Sequence, residues 1–282
     1  MKRIDLTKKG LSCIVLITIG MCLLCSCGEK GVAIDEAHFP DKVLREYIQT
    51  KYDKNNDDIL SQSELENLTS LAPIGTVDNL EGIAYLKNLE EINLVDSELD
   101  KLDLSNNPNI KKLNLTNCSI NSDVDLKNNS GLVEIKVIGG SIGKITIGDD
   151  QKLESVHFND MSLDGLEITN CHSLEHLSLN NVDNISSVEL DACDNIKWIS
   201  ANKCESLELV ELGTAPKLYD VHILDCNVEK LDITGCELML KLAESSPEEK
   251  ERFIKYTLDG DTDTGSRPYN LCIDAGMTLV TE

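Results

Sequence analysis

The stretch Ile110-Lys111-Lys112-Leu113-Asn114-Leu115-Thr116-Asn117-Cys118 decides the fold. Its apolar residues fall at Ile110, Leu113 and Leu115, and the last two alternate with the polar Lys112 and Asn114. Period-two alternation is the pattern of a strand with one buried face. The same spacing recurs from Leu89-x-x-Ile92-x-Leu94 to Val228-x-x-Leu231-x-Ile233. Alternate units begin at Leu89, Ile110, Leu132, Leu153, Leu174, Ile196 and Leu218, 21 or 22 residues apart. Interleaved units begin at Leu99, Ile120, Ile142, Leu163, Ile185, Leu207 and Val228. The 14 half-units make seven coils, and a fixed period of this length marks a solenoid. One unit cannot bury its apolar face alone, whereas stacked units share a continuous core. Two strands per coil predict a mainly β fold with two parallel sheets facing each other across that core.

The pattern resembles the leucine-rich repeat, in the bacterial variety that nests the half-motif LxxLxLxxN twice per coil. The resemblance covers about half of the chain. It implies a curved scaffold that binds other molecules, and it implies no reaction. In that family the place three residues after each half-motif takes Asn or Cys, buried against backbone groups of the turn. Here it holds Asn107, Cys118, Asn129, Cys171, Cys193, Cys204, Cys226 and Cys236, with departures at Gly140, Met161, Val182 and Ala215. Six of the eleven cysteines are thereby read as buried structural thiols, since a free Cys packs as a small hydrophobe with a weak donor.

The repeat occupies residues 89–238, and the segments on either side have their own signals. Residues 1–26 have the form of an export signal: basic Lys2, Arg3, Lys8 and Lys9, then a mostly apolar run over 11–24 that is short for a membrane span. Leu24-Cys25-Ser26-Cys27-Gly28 resembles a bacterial lipobox, which implies cleavage before Cys27 and lipidation of its thiol. Residues 27–34 then form a tether from the membrane. The formal charge of the chain is −24, and loss of the signal would leave the remainder three charges more negative. Such acidity repels phosphate backbones and disfavours nucleic-acid binding.

Residues 35–88 read as a small helical N-terminal cap. Phe39, Val43, Leu44, Tyr47 and Ile48 share one face at helical spacing, with Pro40 near the first turn. The helix leads into a twelve-residue loop, Asp53 to Glu64, of EF-hand form. Asp53, Asn55 and Asp57 offer oxygens at the first, third and fifth places. Ile59 offers a carbonyl at the seventh, Ser61 sits at the ninth, and Glu64 can be bidentate at the twelfth. Hard oxygen donors suit calcium. The sixth place, normally Gly, is Asp58, a residue that tolerates positive φ better than most. Leu68, Leu71, Leu80, Ile83 and Leu86 continue an apolar stripe into the first coil. The segment resembles the N-terminal caps of secreted bacterial repeat proteins, internalin-like ones among them.

Residues 239–282 lose the repeat and read as an α/β C-terminal cap. A short helix is predicted from about Ser246, and closing strands around Asn270–Ile273 and Met277–Val280. The acidic run from Asp259 to Gly265 has the wrong ligand spacing for a second EF-hand.

The outward columns of the two strand series differ. In the first series one column runs Glu91, Lys112, Glu134, Ser155, His176, Trp198, Asp220, and its neighbour runs Asn93, Asn114, Lys136, His157, Ser178, Ser200, His222. That face carries the single Trp of the chain, and an outward Trp can stack on a sugar ring or anchor a protein interface. The expected partner surface is therefore His157, His176, Trp198, Asp220 and His222. The second series presents Asp103, Asp125, Thr146, Glu167, Glu189, Glu211 and Asp232, with Lys101, Lys144 and Lys230 to offset them. No nucleophile elbow, zinc-binding histidine helix or phosphate loop occurs. The expectation is a non-catalytic, monomeric surface lipoprotein that binds a protein or glycan. The alternative is a calcium-stabilised envelope spacer without a specific ligand.

Overall fold

The computed structural model describes residues 31–149, 152–240, 270–274 and 276–282. The signal peptide and Cys27, the predicted helix near Ser246 and the Asp259–Gly265 run lie outside the described residues.

The described chain opens with the cap. Strand β1 (Val32–Ala33) pairs antiparallel with β2 (Ile59–Leu60), and α1 (Lys42–Tyr52) and α2 (Gln62–Asn67) flank the loop between them. Helix α1 starts where Asp41 Oδ1 accepts from the amide of Leu44 at 2.8 Å, which satisfies one of the orphan donors of the first turn. Pro40 therefore lies before the cap rather than inside the helix. Ser61 and Glu64 form a reciprocal capping box at the start of α2. Phe39, Leu44, Ile48, Leu60 and Leu68 are fully buried beneath these elements, and Val43 and Tyr47 pack at the margin.

Strand β3 (Ser70–Leu71) then joins the repeat sheet one period upstream of Leu89, with Leu71 in register with Ile92 of β4 (Glu91–Val95). The cap thus supplies the first rung. The remaining strands are β5 (Glu98–Leu99), β6 (Lys112–Ile120), β7 (Val124–Asp125), β8 (Glu134–Gly148), β9 (Ser155–Thr169), β10 (His176–Asp183), β11 (Ser187–Asp191), β12 (Trp198–Asn202), β13 (Leu209–Glu211), β14 (Asp220–Leu224), β15 (Lys230–Asp232), β16 (Asn270–Ile273) and β17 (Thr278–Val280).

The first face is a continuous parallel ladder in the order β3-β4-β6-β8-β9-β10-β12-β14-β16. The second face is parallel through β7-β8-β9-β11-β13, and β15 pairs separately with β17. The two faces are not independent sheets. Strands β8 and β9, 15 residues each, run through the corner and serve both.

Between the faces the half-motif residues are buried almost without exception, from Leu89 and Ile92 to Leu231 and Ile233. Full burial of each such side chain contributes about 1.5–3 kcal/mol against the entropy of ordering the chain. The corners carry a second periodic signal. After each first-face strand a residue adopts left-handed backbone: Asp96, Asn117, Gly139, Asp160, Asn181, Lys203 and Asp225, with φ between 51° and 71°. Asn and Asp dominate because they tolerate this region better than other side chains. They also bond from coil to coil, as in Asn117 Nδ2 to Asp96 Oδ1 at 3.0 Å and Asn181 Nδ2 to Asp160 Oδ1 at 3.0 Å.

The turn columns hold the Asn and Cys side chains as the resemblance implies. Asn107 Nδ2 donates to the carbonyls of Ile83 and Leu86, and Asn129 Nδ2 to those of Leu104 and Asn107, all at 2.9–3.0 Å. Cys171 and Cys193 donate weakly to Thr169 O and Asp191 O at 3.5 Å. The departure at Gly140 has a steric cause. Its φ is +84°, and a Cβ there would stand 1.9 Å from the carbonyl oxygen of Cys118.

Candidate functional site

Parallel register brings the predicted partner residues together on the first face. His176 of β10 pairs with Trp198 of β12, and Trp198 pairs with Asp220 of β14. His157 of β9 pairs with Ser178, which continues through Ser200 to His222. All five candidates therefore occupy two adjacent columns on four consecutive strands. The His176 and Trp198 rings lie 6.3 Å apart, centroid to centroid, and tilt by 56°. Beneath them Ser178 and Ser200 are each only 3% exposed, although both point outward. The flanking side chains of these columns therefore cover the strand surface and present a contiguous layer to solvent.

A third outward column locks this layer in place, and sequence reasoning missed it. Asn180 Nδ2 donates to Asn159 Oδ1 and Asn202 Nδ2 to Asn180 Oδ1, each at 3.0 Å. The same Asn180 and Asn202 amides reach Ser178 Oγ at 2.9 Å and Ser200 Oγ at 2.7 Å. The signal was present as Asn at the same place in three successive coils, one step beyond the columns that carry the His and Trp residues.

The two histidines of the second column respond oppositely to their surroundings. Burial pushes His157 below its ordinary value. His222 is raised, because its Nε2 lies 2.8 Å from Asp220 Oδ1 and that carboxylate favours the imidazolium. Toward the N-terminus the face changes to mutually satisfied polar pairs. Lys112 pairs with Glu134 at 3.7 Å, and Asn114 Nδ2 donates to Asn93 Oδ1 at 2.7 Å.

On the second face Glu167, Glu189 and Glu211 stand in direct register on β9, β11 and β13. Lys144 and Lys127 bond Glu167 at 2.6 and 3.8 Å, and Lys101 bonds Asp103 at 2.8 Å. Lys230 acts on Asp232 only through longer-range attraction. The expected offset by Lys230 is thus smaller than that by Lys127, a residue outside the strand columns.

The loop from Asp53 to Glu64 is held by side-chain to backbone bonds of its own residues. Asp58 takes φ +59° at the glycine place. Asp53 accepts from the amides of Asp57 and Asp58 at 3.3 and 3.0 Å, and Asp57 Oδ1 accepts from the amide of Ile59 at 3.0 Å. Glu64 is held below the ordinary carboxylate range by its bond from the Ser61 hydroxyl and by the amides of Lys54 and Ser61. Asp53 and Glu64 are buried. The donor set has calcium's chemistry, with Asp53, Asn55, Asp57, Ile59, Ser61 and Glu64 in one loop. The carboxylates are nevertheless spread, and no group of three His, Cys, Asp or Glu among the described residues is gathered closely enough to hold a metal ion.

The chain matches no protein-family model, and no curated protein matches it. Among solved structures it is similar to an internalin (inlF) from Listeria monocytogenes, at 16% identity over 76% of this chain and 89% of that one, with a TM-score of 0.35. It is similar to an internalin C2 from the same organism at 18% identity over 71% of this chain and 90% of that one, with a TM-score of 0.42. A third, the functional domain of InlJ from Listeria monocytogenes, described as including a cysteine ladder, shares 12% identity over 74% of this chain and 75% of that one, with a TM-score of 0.21. Likenesses of this degree say nothing about binding. The leucine-rich solenoid is assigned here from this chain's own period and strand register.

Proposed function

We propose that this protein is a non-catalytic extracytoplasmic lipoprotein, anchored through Cys27, that presents its first face to a protein or glycan outside the cell. The observation that carries this reading is the register of His176, Trp198 and Asp220 on consecutive strands beside His157 and His222. A half-buried Trp backed by a bonded polar layer is rigid and amphipathic, which lowers the entropy lost on binding. The support for the lipid anchor is the Leu24-Cys25-Ser26-Cys27-Gly28 motif after a short apolar run; among the described residues no helix is long and apolar enough to cross a membrane. The test is a binding screen against surface proteins and glycans with calcium present, repeated with Trp198→Ala/His176→Ala. A partner retained by the double variant moves the site off this face. Absence of any partner favours the spacer.

Calcium is proposed to bind the Asp53–Glu64 loop, where Asp53, Asn55, Asp57, the Ile59 carbonyl, Ser61 and Glu64 would hold it. Calcium held there would neutralise the charge of these carboxylates. The support is the set of oxygen donors at EF-hand places and the left-handed Asp58. At a hundredfold excess over Kd the ion would stabilise the folded chain by about 2.7 kcal/mol. A melting temperature that ignores both calcium and chelator sinks this assignment.

A further inference from the structure

We propose that Cys272 is a nucleophilic thiol, set beside His222 and Asp220, that exchanges with a disulfide and so joins the end of the first face covalently to a disulfide-bearing molecule. The reaction is stoichiometric capture. It does not rest on partner binding at Trp198.

Cys272 stands apart from the other cysteines. Cys118, Cys171, Cys193, Cys204, Cys226 and Cys236 occupy the turn columns; all but the half-buried Cys226 are buried, and all but Cys236 bond backbone carbonyls. Cys272 lies in mid-strand on β16. Its neighbours Leu271 and Ile273 are buried at 5% exposure and face the core, so Cys272 faces outward, half-buried. Core burial therefore does not account for this residue. Every earlier place in this outward column, from Asn93 to His222, holds a polar side chain.

Parallel register places Cys272 directly opposite His222, with Asp220 opposite Asn270. Paired residues on adjacent strands project to the same side, and the strands lie about 4.8 Å apart. The side chains of Cys272 and His222 therefore project from facing positions of adjacent strands. The carboxylate of Asp220, two residues back on the same face of β14, lies 2.8 Å from His222 Nε2. A thiol beside an imidazole that a carboxylate orients is the arrangement that activates cysteine nucleophiles. Among the described residues the groups facing His222 are Asp220 on its own strand, Ser200 of β12 and Cys272 of β16. Asp274 does not compete for it: its two carboxylate oxygens accept from the amides of Asp225 and Cys226, both at 3.0 Å. Those bonds also clamp the end of β16 against the corner after β14, which holds the register.

In the exchange Cys272 gives its proton to His222, and the thiolate attacks one sulfur of the incoming disulfide. A new S–S bond forms at Cys272 as the old one breaks. The departing thiolate takes the proton from the imidazolium. Cys272 is oxidised, the departing sulfur is reduced, and no further oxidant is required.

The test uses the full chain with oxidised glutathione as probe, quenched by alkylation and read by mass spectrometry on the peptide containing Cys272. The expected result is glutathionylation of Cys272 about tenfold faster than at the turn-column cysteines near neutral pH, with a midpoint below that of an ordinary thiol at about 8.5. His222→Gln should slow it about tenfold there and move the midpoint up by about one unit, and Asp220→Asn should do the same to a smaller degree. The proposal is overturned if Cys272 reacts no faster than its buried counterparts. It is equally overturned if the pH profile ignores both substitutions. Circular dichroism establishes that each variant is folded, and if His222→Gln does not fold, the Asp220→Asn profile decides alone.

Discussion

The two faces of the solenoid grow from the same half-motif and share one core, yet they meet water in different ways. The first face is one unbroken ladder from β3 to β16 whose C-terminal half is bonded laterally through Ser and Asn side chains. The second face loses its ladder between β13 and β15, where an open cleft of about 1470 Å³ is lined by Glu208, Glu211, Glu229 and Asp232 among others. Acid meets acid across that gap, which weakens strand pairing, although Glu189 and Glu211 face each other in the same way where β11 and β13 stay paired. The apolar columns are equally buried on both sides, so the difference comes from the outward residues. Buried periodicity builds the solenoid, and the outward columns set how each face meets water.

The largest expected effect breaks the comparison at its shared core. Phe158 is fully buried where the equivalent places hold Leu94, Leu115, Val137, Leu179, Ala201 and Ile223. Phe158→Ala should cost about 3–5 kcal/mol. Because β9 serves both faces, Trp198 fluorescence and hydrogen exchange in β11 and β13 should report the loss together in denaturant. Separate transitions would show that the faces are energetically independent.

A smaller effect should sharpen the contrast. Glu211→Lys puts a positive charge beside Glu189 and opposite Asp232, and should stabilise the chain by roughly 0.5 kcal/mol at low salt, less at high salt. Thermal melts at two ionic strengths check it. A destabilising result would remove charge repulsion as the cause of the gap.

The smallest effect concerns pH on the first face. His222 is raised, so its contribution is fully present below about pH 6.5 and is lost as pH rises through its higher folded value. His157 is lowered, so its contribution is present above about pH 6.5 and is lost as pH falls through its lower folded value. The two oppose each other in the window around 6.5. His222→Gln should leave a melting temperature that climbs with pH there, and His157→Gln one that falls. Identical slopes in both variants would refute the opposed assignment.

Much of this was legible in the residue order. The period of 21–22, the burial of the half-motif, the Asn and Cys turn columns and the alignment of His176, Trp198 and Asp220 all follow from counting along the chain, because stacked coils turn sequence period into spatial adjacency. The Asp and Asn residues at the corners were visible as a pattern, and their role emerged only with the backbone, since left-handed φ is a property of the turn. The strand at Ser70–Leu71 was hidden inside the cap because it is one rung long.

What the sequence by itself determined is the repeat, its core and the identity of each column, since these depend on interactions one period apart. Tertiary structure decided three things that depend on distances between non-repeating parts. It joined the two faces through continuous β8 and β9. It left the second face open between β13 and β15. It carried Cys272 across 50 residues to sit opposite His222, a pairing that no period encodes because β16 enters the ladder from outside the repeat.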